Sequence, residues 1–452
     1  MSATEERAYA RVTLRLLPFL GLCYLIAYLD RVNVGFAKLH MLTDLGMSEA
    51  AYGFGAGIFF IGYFLFEVPS NLALHRVGAR MWIARIMMTW GIISGAMAFV
   101  EPLARATGLE VKTVFYSLRF LLGAAEAGFF PGVLLYLNYW YPSHRQSRVI
   151  ALLLMAQPFA FVFGAPLSGA IMESLAGVRG LHDWQWMFLI EAVPALVLGI
   201  AVLFYLDNRI DDAAWLAPDQ KLLLKERLAS EAAAKGDYPL RKLFAIPAMW
   251  LFTVILFCIV TGVYGINFWL PTIIRETGIE SVLVIGGITA ACYFSSAVIS
   301  VLATRRAERR DQKRWHAAGA AILGGVCLAL SAVWTDSTVI TAVLLSLATS
   351  GALVATALFW SFPGSMLTGA GIAAGLAAIN SFGNLGGFVG PYLLGLLTDW
   401  FGSRTVGVGV LGGFMACGGV LIALGCRSYG LRVTSAAPAA AAAGRTAAAT
   451  RR

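Results

Sequence analysis

The chain is 452 residues long; 59% of its residues are apolar and 13% are charged. A typical soluble domain is about 45–50% apolar and about 25% charged, so this chain has about half the charge that covers a water-exposed surface. The formal net charge is +9, but the long apolar runs exclude a nucleic-acid-binding domain, a disordered chain and a disulfide-rich secreted module. We therefore expect most of the chain to face lipid.

Twelve apolar runs are long enough to cross a bilayer, since a spanning helix needs about 20 predominantly apolar residues. They lie at residues 16–36, 52–74, 81–101, 112–136, 149–172, 184–206, 248–274, 282–303, 315–334, 338–360, 370–397 and 405–426. The first run contains Asp30 and Arg31 and lacks a small-residue cleavage site, so we expect a retained span rather than a signal peptide. The sequence thus predicts an all-α membrane protein of twelve transmembrane helices in two six-helix halves.

A charged segment separates the sixth run from the seventh. It covers residues 207–246 and contains a predicted helix over about 219–235. We therefore predict an N-terminal half over 1–206, a cytoplasmic connector over 207–246 and a C-terminal half over 247–426. Residues 427–452 are rich in alanine with scattered arginine and have no apolar face, so they are predicted to form a disordered cytoplasmic tail.

The basic residues predict the orientation, because cytoplasmic loops are enriched in Lys and Arg. With the N-terminus inside, 26 of the 34 Lys and Arg lie on the inner side. Six lie in outer loops: Lys38, Arg105, Lys112, Arg179, Arg275 and Arg404. We therefore expect both termini in the cytoplasm and a location in the cell inner membrane. The six cysteines show no paired spacing, so neither a metal nor a cofactor is expected.

Six charged residues lie well inside the predicted spans, where each charge costs about 2.5–3.5 kcal/mol even on a lenient insertion scale. They are Asp30, Arg31, Glu67, Arg119, Glu126 and Glu191. Arg119 and Glu126 are nearly two helical turns apart and share one face of their helix. Asp30 and Arg31 are adjacent and point about 100° apart. We expect Asp30 to meet a basic group while Arg31 stays available to an anion.

Two interpretations of these charges are open. They either form interhelical ion pairs that only hold the first half together, or they line a cavity with a function. A buried pair barely stabilises a fold after desolvation, whereas two arginines facing a cavity form a natural clamp for a carboxylate. For Glu67 and Glu191 the prediction is a role in helix packing or in a network on the cytoplasmic side. The histidines all fall in loops or at span ends, so carboxylates must carry any transported proton.

Glycine, proline and amide residues interrupt several spans. The eleventh span is rich in glycine and contains Asn380 and Asn384, and the fifth span contains Gln157 followed by Pro158. Small residues permit close helix crossings, which accounts for most of the glycines. The buried amides need hydrogen-bond partners, and a polar substrate in a central cavity is one. In the second half, Asn267 is a further candidate because it is polar and lies mid-span.

Sequence motifs relate this chain to a known family. The segment Asn71-Leu-Ala-Leu-His-Arg-Val-Gly-Ala-Arg80 after the second span resembles the signature loop of the major facilitator superfamily, with Asn71 and His75 in place of its Gly and Asp. More specific are Tyr28-Leu-Asp-Arg-Val-Asn33, Phe66-Glu-Val-Pro-Ser-Asn71, Leu118-Arg-Phe-Leu-Leu-Gly-Ala-Ala-Glu-Ala-Gly-Phe-Phe-Pro131 and Trp184-Gln-Trp-Met-Phe-Leu-Ile-Glu191. This set resembles the anion:cation symporter family, which includes sugar-acid, tartrate, phthalate and vesicular glutamate transporters. The resemblance covers residues 10–430.

The resemblance implies roles for individual residues. Asp30 and Glu126 match the carboxylates that bind protons, and Arg31 and Arg119 match the residues that bind the substrate carboxylate or pair with the acids. The remaining matches line the substrate cavity of sugar-acid members: Tyr63, Gln157, Trp360, Ser361 and Asn380. To these we add Tyr28, Asn267 and Asn384 as substrate-binding candidates on the basis of the residues alone.

We therefore expect a proton-coupled symporter that imports a small organic carboxylate by alternating access of two halves. The substrate is a hydroxy acid, a sugar acid or an aromatic acid, and the protein is expected to act as a monomer in the lipid bilayer. The alternatives are an exchanger or uniporter of organic acids, and a sensor that binds a substrate without transporting it. An enzyme is not expected, since no His, Cys or Ser constellation offers a nucleophile with a base.

Overall fold

The computed structural model describes residues 3–232, 245–363 and 371–428, and these residues form α-helices and short 3₁₀ turns with no strand. The helices before the connector are α1 (Ala3–Leu45), α2 (Glu49–Val77), α3 (Ala79–Ala96), α4 (Val100–Thr107), α5 (Val111–Glu126), α6 (Phe129–Asn138), α7 (Ser143–Leu154), α8 (Ala156–Ser174) and α9 (Asp183–Tyr205). The connector contains α10 (Pro218–Ala232). The later helices are α11 (Pro247–Arg275), α12 (Val282–Arg309), α13 (Lys313–Ser331), α14 (Thr338–Phe359), α15 (Gly371–Gly383), α16 (Gly386–Phe401) and α17 (Arg404–Ser428).

Ten helical segments within the described residues are long and apolar enough to cross a membrane. They correspond to ten of the twelve predicted spans. The predicted span at 315–334 lies largely in α13, which begins with charged residues, and the span at 370–397 is divided between α15 and α16. The predicted multi-pass helical architecture is confirmed. The first helix is longer than predicted, however, so Lys38 lies within α1 rather than in a loop.

The helices before and after the connector pack together along three helix pairs: α1 with α11, α2 with α16, and α8 with α12. Glycine allows two of these close approaches. A Cβ on Gly57 would lie 2.7 Å from the carbonyl oxygen of Phe388, and one on Gly169 would lie 2.6 Å from that of Val282. Both distances are too short for any side chain, as expected for glycines at helix crossings.

Several spans are interrupted within their length. Between α5 and α6 the backbone turns at Gly128, which has a φ of 83° and so adopts a left-handed conformation that favours glycine. The break between α7 and α8 falls at Met155, just before Gln157 and Pro158, and α15 ends just before Asn384. Proline removes a helical hydrogen bond, and transporters place such breaks at their binding sites. Predicted polar residues therefore lie beside helix ends.

The connector is helical over α10, which begins close to the predicted residue 219. The remainder of that predicted helix, up to residue 235, falls within 233–244, outside the described residues. Lys225 donates from Nζ to both carboxylate oxygens of Asp211, at 2.8 and 3.0 Å. This hydrogen bond lowers the pKa of Asp211 below its ordinary value. Of the predicted tail, residues 427 and 428 belong to the end of α17, and residues 429–452 lie outside the described residues.

Candidate functional site

The centre of the candidate site is an ion pair between Arg31 of α1 and Glu126, the last residue of α5. Nη2 of Arg31 donates to Oε1 of Glu126. The Glu126 side chain is 1% exposed and that of Arg31 is 13% exposed. Because the chain turns at Gly128, just after α5, the Glu126 carboxylate lies at a helix end. The pair joins two helices that are distant in sequence, and Arg31 keeps limited access to solvent.

Three aromatic rings surround the Arg31 guanidinium. Its central carbon lies 5.0 Å from the ring centroid of Tyr28 and 5.3 Å from the centroids of Phe59 and Tyr63. These distances are within the range of cation–π attraction. From α11 after the connector, Tyr264 is close enough to interact electrostatically with Arg31. The structure therefore brings together four predicted site residues: Tyr28, Arg31, Tyr63 and Glu126.

Asp30 faces a different group of residues from Arg31. Its Oδ1 accepts hydrogen bonds from the hydroxyl of Ser94 on α3 and, at 3.3 Å, from Nδ2 of Asn33. No Lys, Arg or His nitrogen of the described chain lies within 4.0 Å of this carboxylate. The arrangement expected from the sequence is therefore reversed: Arg31 has the ionic partner and Asp30 does not. Ser94 and Asn33 were not identified by sequence reasoning, since single hydroxyl and amide residues are common in spans.

Arg119 of α5 is completely buried against the backbone of α2. Its Nε donates to the carbonyl oxygen of Gly55 and its Nη2 to that of Ala56, both at 3.3 Å. Among the described residues, no carboxylate oxygen approaches it within 4.0 Å. Its charge still acts at a distance on Asp30 and Glu126. In this conformation Arg119 supplies positive charge near the site rather than a direct clamp.

A second part of the site is a small cavity between helices that precede and follow the connector. Its lining comprises Gln157, Pro158, Phe161, Val263, Ile266, Asn267, Tyr293, Thr349, Ala352 and Leu353. The Tyr293 hydroxyl donates to Oδ1 of Asn267 at 2.6 Å. The rings of Phe161 and Tyr293 are stacked with centroids 3.8 Å apart. Gln157 and Asn267, both predicted from the sequence, thus face the same space.

Four other predicted residues are not in the lining of this cavity. Trp360 and Ser361 follow the end of α14, where the Ser361 hydroxyl donates to the carbonyl oxygen of Leu358 at 2.7 Å. Asn380 and Asn384 lie at the end of α15, where the Asn384 backbone amide donates to the Asn380 carbonyl at 2.9 Å. All four are partly buried. In this conformation they lie at helix ends rather than against the Gln157 and Asn267 cavity.

Glu67 and Glu191 were predicted to support helix packing or a network on the cytoplasmic side. The Ser381 hydroxyl of α15 donates to Oε2 of Glu67 at 3.0 Å, so this contact joins α2 to a helix after the connector. The Ser168 hydroxyl of α8 donates to Oε1 of Glu191 at 2.6 Å. Both glutamates therefore make interhelical hydrogen bonds.

A cluster of charges at one end of the bundle, here called the closed end, joins helices on both sides of the connector. Arg404 Nη2 lies 2.8 Å from Oε1 of Glu49, and Arg404 Nη1 pairs with Glu276. Lys38 Nζ lies 2.8 Å from Oε2 of Glu49 and 3.1 Å from the ring centroid of Trp269. From the sequence, Lys38 and Arg404 were predicted to lie in outer loops. Acidic residues at the neighbouring helix ends were the available signal for these pairs.

A multi-pass helical bundle with a buried polar site between its parts is the architecture of a membrane transporter rather than of an enzyme. A family model described as the Major Facilitator Superfamily matches residues 20–391. The chain belongs to this superfamily, as its motifs indicated, and it is a transporter of a small organic molecule.

Comparisons with known proteins agree with this family. The chain is 45% identical over 424 residues to a protein of Agrobacterium vitis named for tartrate transport, covering 93% of this chain and 95% of that protein. It is 44% identical to a metabolite transport protein of Pseudomonas putida, NicT, covering 90% of this chain and 91% of that one. The crystal structure of a D-xylose-proton symporter matches with a TM-score of 0.70 at 16% identity, covering 92% and 97% of the two chains. At this identity the structural match supports the fold.

Proposed function

We propose that this protein is a proton-coupled symporter that imports a small organic carboxylate across the inner membrane by alternating access. The observation that supports this most directly is the Arg31–Glu126 ion pair inside its aromatic surround. A substrate carboxylate competes with Glu126 for the same guanidinium. The relatives named for tartrate and metabolite transport favour an organic acid as the substrate.

The exchange of partners at Arg31 couples the anion to a proton. While Glu126 is paired with Arg31, its carboxylate is stabilised in the ionised form. Once a substrate takes its place, Glu126 is a buried carboxylate without a counter-ion, and binding a proton removes that charge. Asp30 already lacks an ionic partner within 4.0 Å among the described residues. We therefore assign the coupling protons to Glu126 and Asp30.

Coupling also has an energetic reason. Moving one negative charge inward against an inside-negative potential costs about 2.3 kcal/mol per 100 mV. One proton per negative charge removes this cost, and an additional proton makes uptake actively driven. With both termini in the cytoplasm, the closed end faces the outside, and its ion pairs hold the carrier shut there.

Liposomes containing the purified protein test the proposal. They are loaded with unlabelled L-tartrate, nicotinate, phthalate or gluconate and diluted into the corresponding labelled acid to measure counterflow. An inside-alkaline pH gradient is then applied with and without a protonophore. We expect counterflow of at least one acid, and accumulation of that acid which the protonophore abolishes. Counterflow without proton-driven accumulation indicates an exchanger or uniporter, and binding without counterflow indicates a sensor.

A further inference from the structure

Glu191 is a buried carboxylate for which the proposed cycle has no role. It lies on α9 at the end of the Trp184–Glu191 motif and is 1% exposed. Its Oε1 accepts the hydrogen bond from Ser168, but Oε2 is buried and has no hydrogen-bond partner in the part of the chain that the structure describes. No basic nitrogen of the described residues lies within 4.0 Å of it. A charged group in this position would be strongly destabilised, whereas a neutral acid with a proton on Oε2 would not.

Asn33 lies between Glu191 and Asp30. Its amide donates from Nδ2 to Oδ1 of Asp30 at 3.3 Å, and it is also within interaction distance of the Glu191 carboxyl. Three buried oxygens in this group lack a donor: Oδ2 of Asp30, Oδ1 of Asn33 and Oε2 of Glu191. All three belong to side chains that are at most 2% exposed. A proton on Oε2 of Glu191 turns this oxygen into a donor. It can then donate to one of the other two buried oxygens.

The sum of the charges on the buried groups also supports a proton on Glu191. Asp30, Glu126 and Glu191 carry three negative charges when ionised, and Arg31 and Arg119 carry two positive charges. Glu126 is paired with Arg31, and Asp30 is within electrostatic reach of Arg119. Glu191 has no such interaction with either arginine. One proton makes the group neutral, and Glu191 is the carboxyl with the least to stabilise its charge.

The helices around Glu191 offer no other charge to balance it. From α1 it faces Asp30, a like charge, together with the Asn33 amide. From α8 it faces the Ser168 hydroxyl. Helix α3 approaches α9 through Gly91 and Gly95, which face the apolar side chains of Leu196, Ala195 and Ala192. Among the described residues of these helices, the titratable partner of Glu191 is therefore Asp30.

We propose that Glu191 is a further proton-binding site of the transporter, separate from the Arg31–Glu126 pair, and that an organic anion binds when Glu191 is protonated. This inference rests on the proposed function. Ionised Glu191 adds a negative charge beside Asp30 and opposes the entry of an anion at Arg31. Binding of the anion and binding of a proton at Glu191 are thermodynamically linked. At a pH above the pKa of Glu191, binding of the anion is therefore accompanied by uptake of a proton at Glu191.

Infrared spectroscopy of the purified protein without substrate tests the proton site. A protonated carboxylic acid has a carbonyl stretch that shifts in heavy water and disappears when the acid ionises at high pH. We expect this band to be lost in Glu191→Gln and to be kept, with an altered titration, in Glu191→Asp. Glu67→Gln is the matched control, since Glu67 is also buried and hydrogen-bonded to a serine; its substitution should leave the Glu191 band in place.

Two results in the infrared experiment would overturn the proton site. One is a set of carboxyl bands in Glu191→Gln identical to those of the unmodified protein. The other is loss of the band on adding sodium chloride at constant pH, because that would show a sodium ion in place of the proton. If Glu191→Gln does not fold, Ser168→Ala provides the test. Removing this donor to Glu191 should change the pH at which the band titrates, and an unmoved titration would contradict the proposal.

The requirement for the proton is tested by the affinity for the acid that shows counterflow, measured against pH. Raising the pH ionises Glu191, so the affinity should fall with rising pH. In Glu191→Gln the slope of log Kd against pH should be smaller by about one than in the unmodified protein. The change in Kd for each pH unit is then smaller by a factor of about ten. An unchanged slope would contradict the linkage. If no acid shows counterflow, the proposed function fails, while the infrared result still decides whether Glu191 binds a proton.

Discussion

Arg31 on α1 and Glu126 at the end of α5 form an ion pair within a surround of aromatic rings. The residue adjacent to Arg31, Asp30, points instead to Ser94 and Asn33. In the proposed mechanism these two neighbouring residues of one helix have separate tasks. Arg31 presents a guanidinium that can bind a substrate anion in place of Glu126, and Asp30 presents a carboxylate that has no ionic partner within 4.0 Å among the described residues.

Replacing Glu126 by glutamine should uncouple the transporter. The amide preserves the shape of the side chain but cannot bind a proton. The pH gradient should therefore no longer drive accumulation of the acid inside the liposomes. Counterflow of the same acid should persist, because Arg31 is freed for the substrate. Uptake into liposomes with and without a pH gradient measures both activities. Glu110→Gln, at an exposed glutamate, is the control; accumulation retained by Glu126→Gln would remove Glu126 from the coupling role.

Replacing Arg31 by lysine should weaken substrate binding even though the charge is kept. A lysine ammonium lacks the planar fork that binds a carboxylate through two hydrogen bonds. A hydrogen bond to a charged group contributes about 1.5–3 kcal/mol, so the affinity should fall by about 10–100-fold. Equilibrium binding of the labelled acid measures this loss. Arg105→Lys changes an exposed arginine and should bind normally; equal affinities of Arg31→Lys and the unmodified protein would exclude the clamp.

Replacing Tyr293 by phenylalanine tests the cavity that contains Gln157 and Asn267. The change removes the hydroxyl that donates to Asn267 at 2.6 Å and keeps the ring stacked on Phe161. The Asn267 amide then loses its fixed orientation. Since one neutral hydrogen bond contributes about 1 kcal/mol, KM should rise about fivefold. Initial rates of uptake give KM, with Tyr139→Phe as the control at the surface; an unchanged KM would place the substrate elsewhere.

Replacing Arg404 by alanine should open the closed end. Arg404 bridges Glu49, the first residue of α2, and Glu276, which directly follows α11. Loss of these partly buried pairs should favour conformations in which the closed end is open. The expected shift in the equilibrium constant is about tenfold, which corresponds to about 1.4 kcal/mol. In a background without native cysteines, Thr272→Cys reports this shift, because Thr272 is 6% exposed near Trp269.

A thiol reagent should react faster with Thr272→Cys when Arg404 is replaced by alanine. The matched control is Asp211→Asn, which breaks an exposed ion pair in the connector rather than at the closed end. Equal reaction rates with and without Arg404 would show that the closed end is held shut by packing alone.

Much of the fold could be predicted from the sequence, because length and apolarity decide which segments cross a bilayer. Breaks at Pro158 and before Asn384 were also foreseeable from their residues. The break after Glu126 was not predicted, since Gly128 and Pro131 lie inside an apolar stretch, residues 112–136, that was assigned to one continuous span. The first span was predicted to end too early because a charged residue such as Lys38 is typical of a loop. In the structure, Glu49 and Trp269 stabilise the Lys38 ammonium inside the bundle.

The composition of the site could be predicted, but its pairing could not. The cost of burying charge identifies Asp30, Arg31, Arg119 and Glu126 as functional candidates whatever their partners are. Which acid pairs with which base depends on the rotation of each helix and on contacts between distant parts of the sequence, such as Arg31 with Glu126, 95 positions apart. Arg119, for example, bonds to backbone carbonyls of α2. Hydrogen bonds to backbone carbonyls cannot be predicted from the identities of the side chains, since every residue has such a carbonyl.

In the proposed mechanism the organic anion and a proton enter together, so transport should move protons across the membrane. Proteoliposomes in a weakly buffered medium, with the membrane potential clamped, receive the acid that shows counterflow, and a pH dye reports the outside solution. We predict that the outside becomes alkaline as the acid enters, and that Glu126→Gln abolishes this change. Entry of labelled acid with no change in external pH would contradict this mechanism.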